Sequence, residues 1–171
     1  NEDIYAAGDC SEVTNIVTGK PAYIPLASVA SRSAWVAGEN AAGIRSKFAG
    51  AINSSAVRIF NLETAKVGLS SQEAASARFK VVTDLVVSNS KIPLMPENKK
   101  VTIKLVVDQI TKRILGANVF GEEGAVARAN VLAAAIQNKL TVQELSNLDL
   151  IYSPPFSPLW DPILVSSNSV K

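Results

Sequence analysis

The chain has 171 residues, 47% of them apolar, enough to bury about two-thirds of the unfolded surface in one domain plus an appendage. Seventeen Lys and Arg against fifteen Asp and Glu leave a net charge of +2 without any block of like charge, which disfavours a nucleic-acid partner. Histidine is absent and Cys10 is the single cysteine, so an intramolecular disulfide, a zinc site, and Ser-His or Cys-His nucleophile pairs are excluded, and no metal site is expected.

The chain begins at Asn1 rather than Met and runs at once into the strand-like Ile4-Tyr5-Ala6-Ala7, as expected of a segment cut from something longer. A polar loop with Thr18-Gly19-Lys20-Pro21 follows, and Pro25 is read as opening a long helix. Ala27, Ala30, Ala34, Ala37 and Ala41 recur at helical spacing, a stripe of small side chains that allows a close neighbour, and Gly43 is its expected end. Cys10 reads as a small buried core thiol.

Near residue 48 the apolar period changes from helical to alternating, which predicts a boundary between residues 1–47 and 48–171. Ala56 to Phe60, Thr64 to Leu69 and Phe79 to Ser88 read as strands, and Ser70 with Glu73 carries the capping-box signature of a short helix. Val101, Ile103, Leu105 and Val107 define a strand that returns through Asp108 to Lys112 into Arg113 to Gly121, an antiparallel hairpin. Glu122 and Glu123 are expected to start a helix whose inner face is Ala125, Ala129, Leu132 and Ile136, and Thr141 with Glu144 caps another. The longest apolar run, Val131 to Ile136, is far below the roughly 20 residues a membrane span needs; with no signal-peptide pattern, a soluble cytoplasmic protein is expected. The sum is an α+β fold, an antiparallel sheet with flanking helices. The closing segment interleaves Tyr152, Phe156 and Trp160 with Pro154, Pro155, Pro158 and Pro162, predicting an extended backbone, too stiff for a helix, that docks its aromatic groups elsewhere.

Ile4 to Asp9, an apolar strand closed by Gly8-Asp9, resembles the second flavin-binding motif of the pyridine nucleotide-disulfide reductases, although the same hexapeptide also reads as an ordinary turn. Tyr23-Ile24-Pro25-Leu26-Ala27 is similar to the start of the family's helix whose amino end faces the flavin pyrimidine. Tyr152 to Pro158 with Trp160-Asp161-Pro162 resembles the closing signature of the NADH oxidase and coenzyme A-disulfide reductase branch. Leu62 to Leu69, Arg113 to Ala117 and Gly121 to Gly124 look like its dimerisation domain, so the resemblance covers essentially the whole chain.

The resemblance implies that residues 1–47 close a discontinuous FAD domain and that residues 48–171 form a homodimer. It implies FAD and NAD(P)H as cofactors of a parent enzyme acting on a small-molecule substrate, with the phosphate loop, nicotinamide site and redox cysteine outside this chain. The chain alone is then expected to be inactive and to retain neither cofactor. Gly8, Asp9, Pro25, Leu26 and Ala27 are the implied flavin contacts, and Arg32 and Trp160 the implied substrate contacts, Arg32 reading equally as a solvated helix residue. The lack of histidine implies the single-cysteine branch, in which the tail of one subunit reaches the active site of its mate. Tyr152 then either approaches the sulfur chemistry or only anchors the tail. The loop from Ser88 to Lys99 lacks the tyrosine that coenzyme A-disulfide reductases tend to carry there. Reduction of a disulfide such as coenzyme A disulfide is the leading expectation. The alternatives are an NADH oxidase or peroxidase and a free-standing dimerisation module; the acceptor and the choice of NADH or NADPH stay open.

Overall fold

Local hydrogen bonding dictates the first elements of the computed structural model, which describes residues 3–170. Strands β1 (Val13–Thr14) and β2 (Pro21–Ala22) pair antiparallel. Their turn is built by buried Asn15, whose side-chain oxygen accepts from the N–H groups of Val17 at 2.9 Å and Thr18 at 3.1 Å. Helix α1 (Ala27–Ala41) starts two residues later than Pro25 suggests. The reason is local: Leu26 is extended and donates to Ile24 O at 2.9 Å, a tight turn around the proline. At its other end Gly43 takes a φ of 84°, and the bonds Gly43 N–H to Asn40 O and Ile44 N–H to Glu39 O form a Schellman motif.

The chain divides into two units, the first ending at Asn53 and the second beginning at Ser54. Ile24, Val29 and Ala51 form the small core of the first, with Val13, Ala22, Leu26 and Phe48 packed around them. The buried positions of α1 are Val29 and Ser33, whereas Ala27, Ala34 and Ala41 of the alanine stripe are exposed. Ile4 to Ala7 form no strand, because no partner strand lies beside them among the described residues.

The second unit is a five-stranded antiparallel sheet in the order β3 (Ser55–Ile59), β4 (Leu62–Gly68), β7 (Ile114–Gly121), β6 (Lys100–Asp108), β5 (Val81–Asn89). Helix α2 is Ser71–Ser76, α3 is Ala125–Gln137, α4 is Val142–Ser146 and α5 is Pro162–Ser169. Helix α3 packs on β4 and β7, while α5 packs on β5, β6 and α4. The register lines up Ala65, Val119, Ile103 and Val86 in one inward row, and Ala129, Leu132, Ile136 and Ile163 complete the core. The opposite rows place Val57, Phe120, Val87 and Leu85 outward, all exposed. A bulge at Leu115 breaks the alternation of β7, so Ile114 and Leu115 are both buried. Leu69 then donates to Leu115 O at 3.0 Å, and only glycine fits at Gly116, where a Cβ would collide with the backbone of Leu69.

Two expectations for this unit are corrected. Helix α3 begins at Ala125, not at Glu122 or Glu123, because the carboxylate at its amino end comes from β4: Glu63 Oε2 accepts from Ala125 N at 3.1 Å and Val126 N at 3.2 Å. Glu122 and Glu123 instead pair with Lys99 and Lys91. The tail is not extended throughout: Asp161 caps α5 by accepting from Ile163 N at 2.9 Å, and Pro162 occupies the first turn, where its missing N–H is harmless. Helix α5 therefore lies on its own sheet, while the aromatic segment before it stays exposed. Among the described residues no helix is long and apolar enough to cross a membrane.

Candidate functional site

In the first unit, Gly8 adopts a φ of 87° and seats its backbone on the side of α1. Its N–H donates to Ser33 Oγ at 3.4 Å, and a Cβ added there would lie 3.9 Å from that of Ala30. The Gly8 carbonyl accepts from both the N–H and the hydroxyl of Ser11 at 3.1 Å, which closes a turn and leaves Asp9 exposed. Cys10 sits in this turn, exposed, with its thiol donating to Ala7 O at 3.3 Å; the turn geometry overturns its expected burial as a core thiol.

One helical turn away, α1 begins without a side-chain cap and without an acidic residue in its first turn. The N–H groups of Ala27 and Ser28 precede the first intrahelical bonds, which start at Val29, so they point out of the helix toward any acceptor placed there. Pro25 and Ala27 are exposed and Leu26 is half-buried. Gly8 is thus held against α1 at Ala30 and Ser33, within two turns of the helix start. The arrangement offers a carboxylate able to accept from hydroxyl groups and a helix end able to donate to a partly negative oxygen. Beside it, an open cleft of about 340 Å³ runs between Tyr5, Ser11, Thr14, Ser33, Asn40 and Phe48. Arg32 is exposed but held along the helix, with Nε donating to Ser28 O at 3.1 Å and Cζ 5.6 Å from the centre of the Phe48 ring.

In the second unit, Tyr152 and Trp160 lie on one exposed segment that also displays Ile151, Phe156 and Leu159. Its shape comes from a turn in which Ser153 O accepts from the N–H groups of Phe156 and Ser157, while buried Ser157 donates its hydroxyl to Ile151 O at 3.0 Å. Among the described residues the Tyr152 hydroxyl has no hydrogen-bond partner, and the residue is exposed. The segment ends at Asp161, which is locked by Arg128 of α3, 2.8 Å away. This ion pair is absent from the sequence reading, yet a cue exists. Arg128 is a lone charge on the apolar stripe Ala125, Ala129, Leu132, and Asp161-Pro162 is the dipeptide expected at a helix start.

Residues 54–162 match the family described as pyridine nucleotide-disulphide oxidoreductase, dimerisation domain. Over 99% of its length the chain is 36% identical to an NAD(P)H sulfur oxidoreductase (CoA-dependent) of Pyrococcus furiosus. Over the same share it is 31% identical to an NADH oxidase of Methanocaldococcus jannaschii. The chain spans 38% of the length of each of these curated relatives. It also superimposes with a TM-score of 0.93 on the structure of an NAD-dependent persulfide reductase from A. fulgidus, at 36% identity, covering 96% of this chain and 31% of that one.

Proposed function

This chain belongs to the pyridine nucleotide-disulphide oxidoreductase dimerisation-domain family, and from that premise we propose that it forms the homodimer interface of an FAD-dependent NAD(P)H oxidoreductase reducing a disulfide such as coenzyme A disulfide. The observation that carries the reading is the family match over residues 54–162, which hold all five strands of the sheet, together with two exposed apolar surfaces on that unit. One is the outward sheet face with Val57, Leu85, Val87 and Phe120; the other is the 151–160 segment. Surfaces of this kind on a soluble, cytoplasmic protein call for a covering partner, and a second copy meets the need symmetrically.

The residues of the first unit fit one end of a flavin. Asp9 would accept hydrogen bonds from ribityl hydroxyls beyond the Gly8 turn, and the uncapped start of α1 at Pro25, Leu26 and Ala27 would donate to a ring carbonyl. A bound flavin supplies hydride acceptance and electron transfer; this chain's residues orient it and stabilise negative charge at the helix end. Arg32, a fork of donors already steadied by Phe48, suits a pyrophosphate, and Trp160 offers an apolar plate to the substrate. The Tyr152 hydroxyl would donate a hydrogen bond to a sulfur species.

The test is anaerobic turnover by the full-length enzyme that contains this chain, with coenzyme A disulfide as the acceptor. NAD(P)H consumption without oxygen is the expected result. Consumption only in air would replace it with the NADH oxidase reading, which the similarity to the M. jannaschii oxidase and the lack of tyrosine between Ser88 and Lys99 favour.

A further inference from the structure

Arg128 faces the sheet from α3, on the stripe that also carries Ala125, Ala129 and Leu132. A guanidinium in such a place is tolerated only when its donors are matched. Here they are: Nε lies 3.2 and 3.0 Å from the two carboxylate oxygens of Asp161, and Nη2 lies 2.8 Å from Oδ2. Nη2 also donates to Ser90 O at 3.1 Å, and Nη1 to Gly124 O at 3.3 Å. The two side chains are only 9% and 12% exposed, so solvent does little to screen the pair.

Segments far apart in sequence meet on this one group. Ser90 closes the loop between β5 and β6: its N–H donates to Lys99 O at 2.7 Å and its hydroxyl accepts from Lys99 N at 3.0 Å. Asp161 closes the exposed segment that bears Tyr152 and Trp160, and the same carboxylate caps α5 through Ile163 N. An apolar pair in place of Arg128 and Asp161 would fill the space but hold neither the Ser90 carbonyl nor the cap.

We propose that Arg128 is a positioning residue that couples the 90–99 loop to the 151–160 segment, so that the segment bearing Tyr152 and Trp160 is presented to the electron acceptor on a rigid support. This rests on the reading above that Tyr152 and Trp160 border the acceptor. Arginine is required because separate nitrogens serve separate partners, which a lysine ammonium at the end of a flexible stem does not reproduce.

Amide hydrogen exchange on the 171-residue chain tests the coupling with no substrate present. The variants are Arg128→Lys, which keeps the charge and loses the fork, and Asp161→Asn, which keeps an oxygen for Ile163 N–H and loses the charge. In each, exchange should rise at least about tenfold in residues 90–99 and 151–160 together, the factor expected for loss of a charge-assisted hydrogen bond, while 103–107 of β6 keep their protection. A rise in one loop without the other overturns the coupling, as does an equal rise throughout β6. In the full-length enzyme, Arg128→Lys should raise KM for the acceptor about tenfold while flavin reduction by NAD(P)H keeps its rate. Equal slowing of both half-reactions overturns a role toward the acceptor. Exchange is read whatever the acceptor is, so the coupling and the disulfide reading fail separately.

Discussion

Asp108 shows how one side chain fixes the turn between β6 and β7. Burial alone would raise its carboxyl, but the Thr111 hydroxyl at 2.6 Å and the N–H groups of Thr111 and Ile110 outweigh it and hold the group below the usual carboxylate range. A depressed folded-state value means that the stabilisation is present above the unfolded value, about 3.9, and is lost as pH falls through the folded one. Asp108→Asn is therefore expected to cost about 1–2 kcal/mol at pH 7, and the gap from wild type should shrink below about pH 4. Urea unfolding at the two pH values checks this, and a gap that grows in acid contradicts it. Tyr152 is the contrasting case, an exposed residue whose hydroxyl does nothing for the fold. Tyr152→Phe should change stability by less than about 0.5 kcal/mol. In the full-length enzyme it should slow turnover and leave flavin content unchanged; unaltered steady-state kinetics would reduce Tyr152 to an anchor.

At the scale of elements, what the sequence makes legible follows the range of the interactions. Both capping boxes, Ser70 with Glu73 and Thr141 with Glu144, form as read, because each is specified within four consecutive residues. The alternation in β6 declares its buried face as far as Leu105, but Val106, on the wetter side of that alternation, is fully buried as well. The start of α3 is not legible locally, since its carboxylate lies 62 residues upstream on β4. Replacing that carboxylate tests the point: Glu63→Ala should cost about 1–2 kcal/mol by leaving two amino-end N–H groups without their acceptor, and Glu63→Gln about half as much. Chemical denaturation reads both, and equal stability of Glu63→Ala and wild type would return the cap to Glu122 or Glu123. Helix α5 escapes a reading based on proline density, although Asp161-Pro162 is chemically a cap followed by a first-turn proline. The flavin-side candidates fare differently: the resemblance proposes Gly8 and Ala27 together, and the fold brings Gly8 against Ala30 and Ser33, one turn from Ala27.

For the whole molecule, the governing quantity is apolar surface left in water. One face of the sheet is sealed by α3 and α5, but the other exposes Val57, Leu85, Val87 and Phe120 in adjoining rows, and Ile151, Phe156, Leu159 and Trp160 stand out from the segment before α5. A monomer has few ways to hide such groups, because α5 is already spent on its own sheet and Asp161 is held by Arg128. Burying about 800 Å² per partner is typical of a specific interface, and at roughly 25 cal/mol per Å² of apolar area the gross gain exceeds the cost of association for two rigid bodies. Nothing in this balance requires flavin, so the chain is expected to dimerise by itself. Gel filtration with light scattering at micromolar concentration should return twice the mass of the 171-residue chain. The mass should hold in 1 M salt, since apolar contacts are not screened whereas surface ion pairs are. A monomer at every concentration would mean that these surfaces are covered by other parts of a longer protein, and the dimer-forming role would then pass from this chain to them.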